Sequence, residues 1–230
     1  MNTEILNIFF DLAKAGEKVR LYNTYKGVPI TFDAEFTKIA RGIITLKVHK
    51  YQALCIKKSG QTILRHDLLP NPVQGLAIKV DFVELLVMLH DFQNIATSAG
   101  NRQMLRVEPE RAFTVVLSNG AVVNATAIDI SEGGFGVLIK SPLFTDRNFG
   151  LEKTVNVEFR FPQERRLVGK MHGVVVNVHP DLNEERYRVG IHSYPDNDAK
   201  KLINDYVTQR QTEIIQELDT LHRLVQSSKS

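Results

Sequence analysis

Two short stretches carry side chains whose types and spacing suit ligand chemistry. "RQMLR", residues 102–106, sets two arginines four apart; after 22 intervening residues "DISEGG", residues 129–134, sets Asp-x-Ser ahead of a glycine pair. Each guanidinium offers a planar fork of donors that matches a phosphate, or the O6/N7 edge of guanine, and it stacks on a base. From an extended or irregular segment, Arg102 and Arg106 can grip one compact anion from two directions, with Arg111 adding charge. In DISEGG, strict strand alternation turns Ile128 and Ile130 inward and puts Asp129 and Ser131 together on the other face. A carboxylate and a hydroxyl so placed can serve a base edge or a ribose, while Gly133 and Gly134 let a ligand or another backbone approach closely. Each stretch by itself also fits a plainer role: solvated linker arginines, and a hairpin turn whose Asp and Ser satisfy local N–H groups.

Such side chains need a scaffold that brings an irregular arm to the end of a strand. Downstream of the arm, "FTVVL", a turn at Ser118-Asn119-Gly120, "VVNATAIDIS", "GFGVLIK", "TVNVEFRF", "RLVGKMHGVVVNVHP" and "YRVGIHSY" have the spacing of a closed antiparallel barrel. Upstream, Ile5, Ile8, Phe9, Leu12 and Ala13 predict a short helix that Gly16 stops. "KVRLYN", "VPITFDAEF", "GIITLKVH", "ALCIKK", "QTILRH" and "GLAIKVDFV" then predict the strands of a small β-rich domain, and "VDFVELLVMLHDF" fits strand or helix equally. "NIATSAGNR", residues 94–102, is small and polar and marks the boundary where the arm begins. After Pro195 no Gly or Pro interrupts the chain, and Asp196, Asn197 and Asp198 offer N-caps for a long helix. Val207, Ile214 and Leu221, with the offset set Gln211, Leu218 and Val225, form an a/d-like seam on it. That seam either packs on the chain's own barrel or joins copies into a homo-oligomer, Gln211 then fixing register. The fold class is therefore mainly β: an N-terminal accessory barrel with a leading helix over 1–98, a second antiparallel barrel over 99–195, and a C-terminal helix over 196–230.

Composition narrows the function classes. The 230 residues are 43% hydrophobic, enough for packed cores, and no run of 18 apolar residues offers a membrane span. "MNTEILNIFF" lacks the basic start and small-residue cleavage site of a secretory signal, so a soluble cytoplasmic chain is expected. Cys55 is the only cysteine, which excludes an internal disulfide and a multi-cysteine zinc site. The seven histidines include no i,i+4 pair. A net charge of +3 is too mild to announce a DNA footprint. No GxxxxGK[ST], GxSxG or HExxH pattern occurs, and nothing pairs two carboxylates in one pocket, so the sequence points away from an enzyme and from any catalytic cofactor or metal.

Together, the RxxxR arm, the strand and hairpin after it, and DxSxxG closely resemble the PilZ domain, a bacterial receptor module for the second messenger cyclic di-GMP. The resemblance covers roughly residues 101–195 and extends to "GVVVNV" and "YRVGIHSY", which look like the family's last hairpin. It implies cyclic di-GMP as the ligand, Arg102 and Arg106 as the phosphate- and guanine-contacting arm, and Asp129, Ser131 and Gly134 as the barrel-surface half of the site. Arg111, Gly133 and Asn101 are additional candidates. Asn101 stands where many members carry another basic residue, which leaves one or two bound ligand molecules open. The N-terminal half resembles, in layout alone, the accessory barrel of two-domain flagellar-brake proteins. The resemblance implies an effector that turns second-messenger level into domain orientation and partner contact, regulating motility, adhesion or exopolysaccharide output through an unknown flagellar, pilus or polysaccharide partner. The competing reading is a diverged structural adaptor that works by protein contacts without nucleotide.

Overall fold

The computed structural model of the chain describes residues 3–95, 105–162, 169–181 and 185–227. The chain divides into two units: Met1–Gln103 with Ile214–Ser230, and Met104–Glu213.

The first unit starts with helix α1 (Thr3–Ala15), whose Ile5, Phe9 and Leu12 recur at helical spacing and are buried. Gly16 ends it with φ +71 and a backbone N–H donated to Ala13. Strands β1 (Lys18–Tyr25), β2 (Val28–Ala40) and β3 (Ile43–Lys47) precede helix α2 (Lys50–Ser59). Then come β4 (Gln61–Arg65), β5 (Val73–Asp81) and β6 (Leu86–Asn94). The six strands close as β1-β2-β3-β6-β5-β4 around a core that includes Leu21, Ile44, Leu46, Leu64, Val87 and Leu89. Phe9 of α1 enters that core edge-on to Phe92, 5.2 Å between ring centroids.

Two expectations change here. "ALCIKK" is not a strand but lies within α2: His49 accepts the Tyr51 N–H at Nδ1, Gly60 closes the helix at φ +73, and Gln52, Ala53, Cys55 and Ile56 are buried on one side. Residues 50–59 thus bury a helical face, which the apolar run alone could not distinguish from a strand. "VDFVELLVMLHDF" resolves into a turn at 82–85 followed by β6.

The second unit contains β7 (Arg106–Val107), β8 (Thr114–Ser118), β9 (Val122–Ser131), β10 (Gly134–Lys140) and, after a 3-10 turn, the one-turn helix α3 (Asp146–Phe149). It continues with β11 (Thr154–Phe159), β12 (Gly169–Pro180) and β13 (Arg186–Pro195). The order β10-β13-β12-β11-β8-β9 closes through a β9–β10 pairing into a second six-stranded barrel, and β7 is added on β9. The sequence missed α3, a short connector that buries Phe149 completely.

Helix α4 (Asn197–Ser227) begins where Asp196 accepts the Ala199 N–H at 2.8 Å. In the second unit it buries Ile203, Tyr206 and Val207, with Tyr206 stacked on Phe161 at 4.0 Å. In the first unit its last turns bury Ile214 and Leu218 and lay Val225 against the core. They also pair Lys26 with Glu217 and Lys50 with Asp219. Most of the a/d seam is therefore covered by the chain itself; only Leu221, at 38% exposure, turns outward.

Candidate functional site

The arm reaches the barrel by backbone pairing. β8 pairs with β9 only as far as Thr126, and β10 takes the opposite edge of β9 from there to Ser131. The edge left open beyond β8 receives β7, with Arg106 opposite Ser131 and Val107 opposite Ile130. Arg106, the last residue of the arm, and the DISEGG strand thus become neighbours through the ladder, before any side chain meets another.

A β-bulge then decides which way the DISEGG side chains point. Gly136 of β10 pairs with Asp129 and Val137 with Ala127, so Ile128 is the extra residue on β9. Before the bulge Val123, Ala125 and Ala127 are buried; after it Ile130 is, at 0% exposure, while Ile128 is only half-buried. The expected inward pair Ile128/Ile130 is corrected accordingly: Ile130 points in, and Ile128 sits in the bulge. The bulge is what leaves Asp129 and Ser131 on the outer face.

There Asp129 is the centre of a charge cluster. Its Oδ1 accepts from Arg106 Nη1 at 3.3 Å and its Oδ2 from Arg188 Nη2 at 3.0 Å. The Asp129 side chain is 11% exposed, whereas Arg106 and Arg188 are 41% and 57% exposed, so two solvent-facing guanidiniums converge on one well-covered carboxylate. Beneath it, the absence of a side chain at Gly136 is essential to the geometry: a Cβ there would lie 2.5 Å from Oδ2 and 2.7 Å from Cγ of Asp129. Arg188, on β13, is displaced by only two residues from Gly190, which pairs with Gly136. Continuing along the same face of β13, Gly190 leads to His192 and to Tyr194, which is 60% exposed. A floor of glycines, guanidiniums at one end and an aromatic at the other, is suited to a flat, anionic, hydrogen-bonding ligand.

The other candidates have distinct local duties. The Ser131 hydroxyl donates to the Gly134 carbonyl at a long 3.4 Å inside the hairpin. Gly134 has φ +149, and a Cβ on it would lie 1.9 Å from the Ile191 carbonyl oxygen, so the close approach of β13 alone demands glycine there. The Gly133 carbonyl accepts the Ser193 N–H at 3.0 Å. Between them, Glu132 lies 2.9 Å from Lys200 of α4, and that bond, with help from Asn204, holds its carboxyl below the usual range. Arg111 is exposed in the connection from β7 to β8, and no ion pair joins it to Asp129 among the described residues. Arg102 and Asn101 lie outside the described residues.

Arg188 and Gly136 are the residues that sequence reasoning missed. Arg188 is 59 positions from Asp129 and meets it only because the barrel closes. Among the described residues no group of three His, Cys, Asp or Glu could hold a metal ion, and no described helix is long and apolar enough to cross a membrane.

Residues 101–209 match the family model described as the PilZ domain. No curated protein matches the sequence. Among solved structures, the chain is similar to the K. pneumonia MrkH complex with c-di-GMP, at 12% identity and a TM-score of 0.48, over 94% of this chain and 97% of that one. MrkH is also described as a c-di-GMP-dependent transcription regulatory factor. Escherichia coli YcgR in complex with c-di-GMP is similar at 11% identity and a TM-score of 0.43, over 94% and 93%. The Bacillus subtilis inhibitor of motility MotI/DgrA is similar at 14% identity and a TM-score of 0.43, over 86% and 97%.

Proposed function

Because residues 101–209 form a PilZ domain, we propose that the chain is a cyclic di-GMP receptor, with Arg102 and Arg106 as its arm and Asp129, Ser131 and Gly134 as the barrel half of its site. The observation that carries this reading is the Asp129 carboxylate poised between Arg106 and Arg188 over Gly136. Cyclic di-GMP brings two phosphates and two guanines in a compact ring. The arginines match its phosphates and guanine O6/N7 edges, the carboxylate matches the guanine N–H groups, and the glycine floor accepts a flat base. When Arg106 turns to a phosphate, Arg188 keeps Asp129 aimed at the base. Asn101, Gly133 and Arg111 stand at the rim of this reading as additional contacts.

The output follows from where the arm lies in the chain. The first unit's leading segment ends at Gln103 and Arg106 begins β7, so ordering the arm around a ligand is expected to change how the two barrel domains are oriented and which partner they contact. Control of motility, adhesion or exopolysaccharide output through flagellar, pilus or polysaccharide machinery in the cytoplasm fits such a receptor. The transcription-factor description of MrkH keeps nucleic acid among the partner classes despite the mild net charge.

Isothermal titration of cyclic di-GMP into the wild-type chain tests the proposal, with Arg106→Ala as control and GTP as competitor. Saturable binding lost in the variant supports it, and the stoichiometry separates one bound molecule from two. Absence of binding favours the adaptor.

A further inference from the structure

Both halves of the candidate site are tied to the same helix by side chains. On the arm side, Arg210 of α4 donates through Nε to the main-chain carbonyl of Glu108 at 3.0 Å, two residues beyond Arg106. Its Nη1 donates to Glu213 at 3.0 Å, and the residue is 2% exposed. On the turn side, Lys200, three turns earlier on α4, holds Glu132, which sits between Ser131 and Gly133.

The arm needs such a hold. Among the described residues β7 has two rungs, Arg106–Ser131 and Val107–Ile130, and the next strand begins at Thr114. Two rungs at the end of a sheet fix an arginine side chain poorly, because every residue ordered there costs conformational entropy that few contacts offset. The Glu108 carbonyl is the first backbone acceptor past the ladder, and a guanidinium buried to 2% exposure takes it. Burying an arginine costs free energy that only well-placed partners return, so Arg210 has little freedom to release Glu108 and Glu213 without penalty.

We infer that Arg210 is a positioning residue for the arginine arm, and that Lys200 does the same for the DISEGG turn, so that α4 sets the separation of the two halves of the site. The inference rests on the cyclic di-GMP reading of that site. It has a reciprocal consequence: if α4 favours the binding geometry, bound ligand strengthens the hold on α4 by the same free energy, and the helix becomes the element on which occupancy is read.

The test is titration of cyclic di-GMP into the full chain, its Arg210→Lys variant and its Lys200→Met variant, with amide hydrogen exchange of the ligand-free proteins. Lysine keeps the charge and apolar stem but lacks the fork that serves Glu108 and Glu213 together. Arg210→Lys should bind roughly fivefold to tenfold more weakly, the worth of about one ordinary hydrogen bond. Exchange at Arg106 and Val107 should quicken while the rest of the barrel stays protected. Lys200→Met should weaken binding only about twofold, because its ion pair is half-exposed, and should quicken exchange at 131–134. If the wild type binds and both variants match it, this inference falls and the receptor reading stands. If the wild type does not bind, both fall. If Arg210→Lys fails to fold, Lys200→Met decides alone, and unchanged affinity with unchanged exchange at 131–134 overturns the inference.

Discussion

Adding one methyl group at Gly136 should disable the site without deleting a polar atom. In Gly136→Ala the new Cβ would start 2.5 Å from Asp129 Oδ2, 2.7 Å from Cγ and 2.8 Å from Oδ1, against an ordinary contact of 3.4 Å or more. β10 is held between β9 and β13 and cannot retreat, so the carboxylate must move by about 1 Å. Its bonds to Arg106 and Arg188, now 3.3 and 3.0 Å, then open towards 4 Å or turn out of line. If Asp129 contacts guanine, its displacement forfeits a charge-assisted bond of about 1.5–3 kcal/mol, a roughly tenfold to hundredfold loss of affinity. The stability cost should be at the low end of overpacking, about 1 kcal/mol, because the displaced group faces outward. Isothermal titration gives the first quantity and urea unfolding the second. Gly120→Ala is the control: Gly120 has φ +67 in the β8–β9 turn, so alanine strains the backbone and lowers stability without touching Asp129. Gly136→Ala with wild-type affinity and a lowered unfolding midpoint would refute the argument, since Asp129 would then have no contact with the ligand.

Arg106→Ala should lose about tenfold to a hundredfold in cyclic di-GMP affinity, yet cost less than about 1 kcal/mol of stability because its partner bond is partly exposed; chemical denaturation separates the two effects. The α2 cap should be acid-sensitive, because His49 accepts the Tyr51 N–H only while Nδ1 is unprotonated. Burial, then Lys50, holds the His49 pKa below 6.5, so the cap is intact above that value and its contribution, about 1 kcal/mol, is lost as pH falls from 6.5 through the lower folded value. Thermal unfolding of His49→Asn should lack that acid step, and an identical step would sink the assignment. Light scattering should return a monomer, since Ile214 and Leu218 are fully buried within one chain; a dimer that survives glutamate at Leu221 and at Leu224, the exposed leucine three residues further along α4, would show association through another surface.

The barrels and the long helix were legible because alternation, turn residues and the absence of Gly and Pro all survive in the sequence of each element. α2 was not, since its N-cap is a histidine and "ALCIKK" has the same apolar density in either conformation. For the site, sequence supplied Arg106 and Asp129 as separate motifs, and the β7–β9 ladder supplied their adjacency. Arg188 carries no spacing signal at all: strand closure brings it to Asp129, and closure is a property of the whole sheet. The role of Gly136 was equally hidden, because "GFG" reads as a flexible strand start until the carboxylate lying over it is seen.

The bulge at Ile128 works like a frameshift in a two-letter code. Every residue before it is read in one register, inside for odd numbers, and every residue after it in the other. If all ten residues of β9 paired without the bulge, a single frame would run through the strand, turning Asp129 and Ser131 into the hydrophobic interior and expelling Ile130, although every residue of the DxSxxG motif would still be present in the chain. A descendant in which this strand paired flat, with Ile128 drawn into the ladder, would keep the sequence signature of a receptor while losing the surface that could act as one.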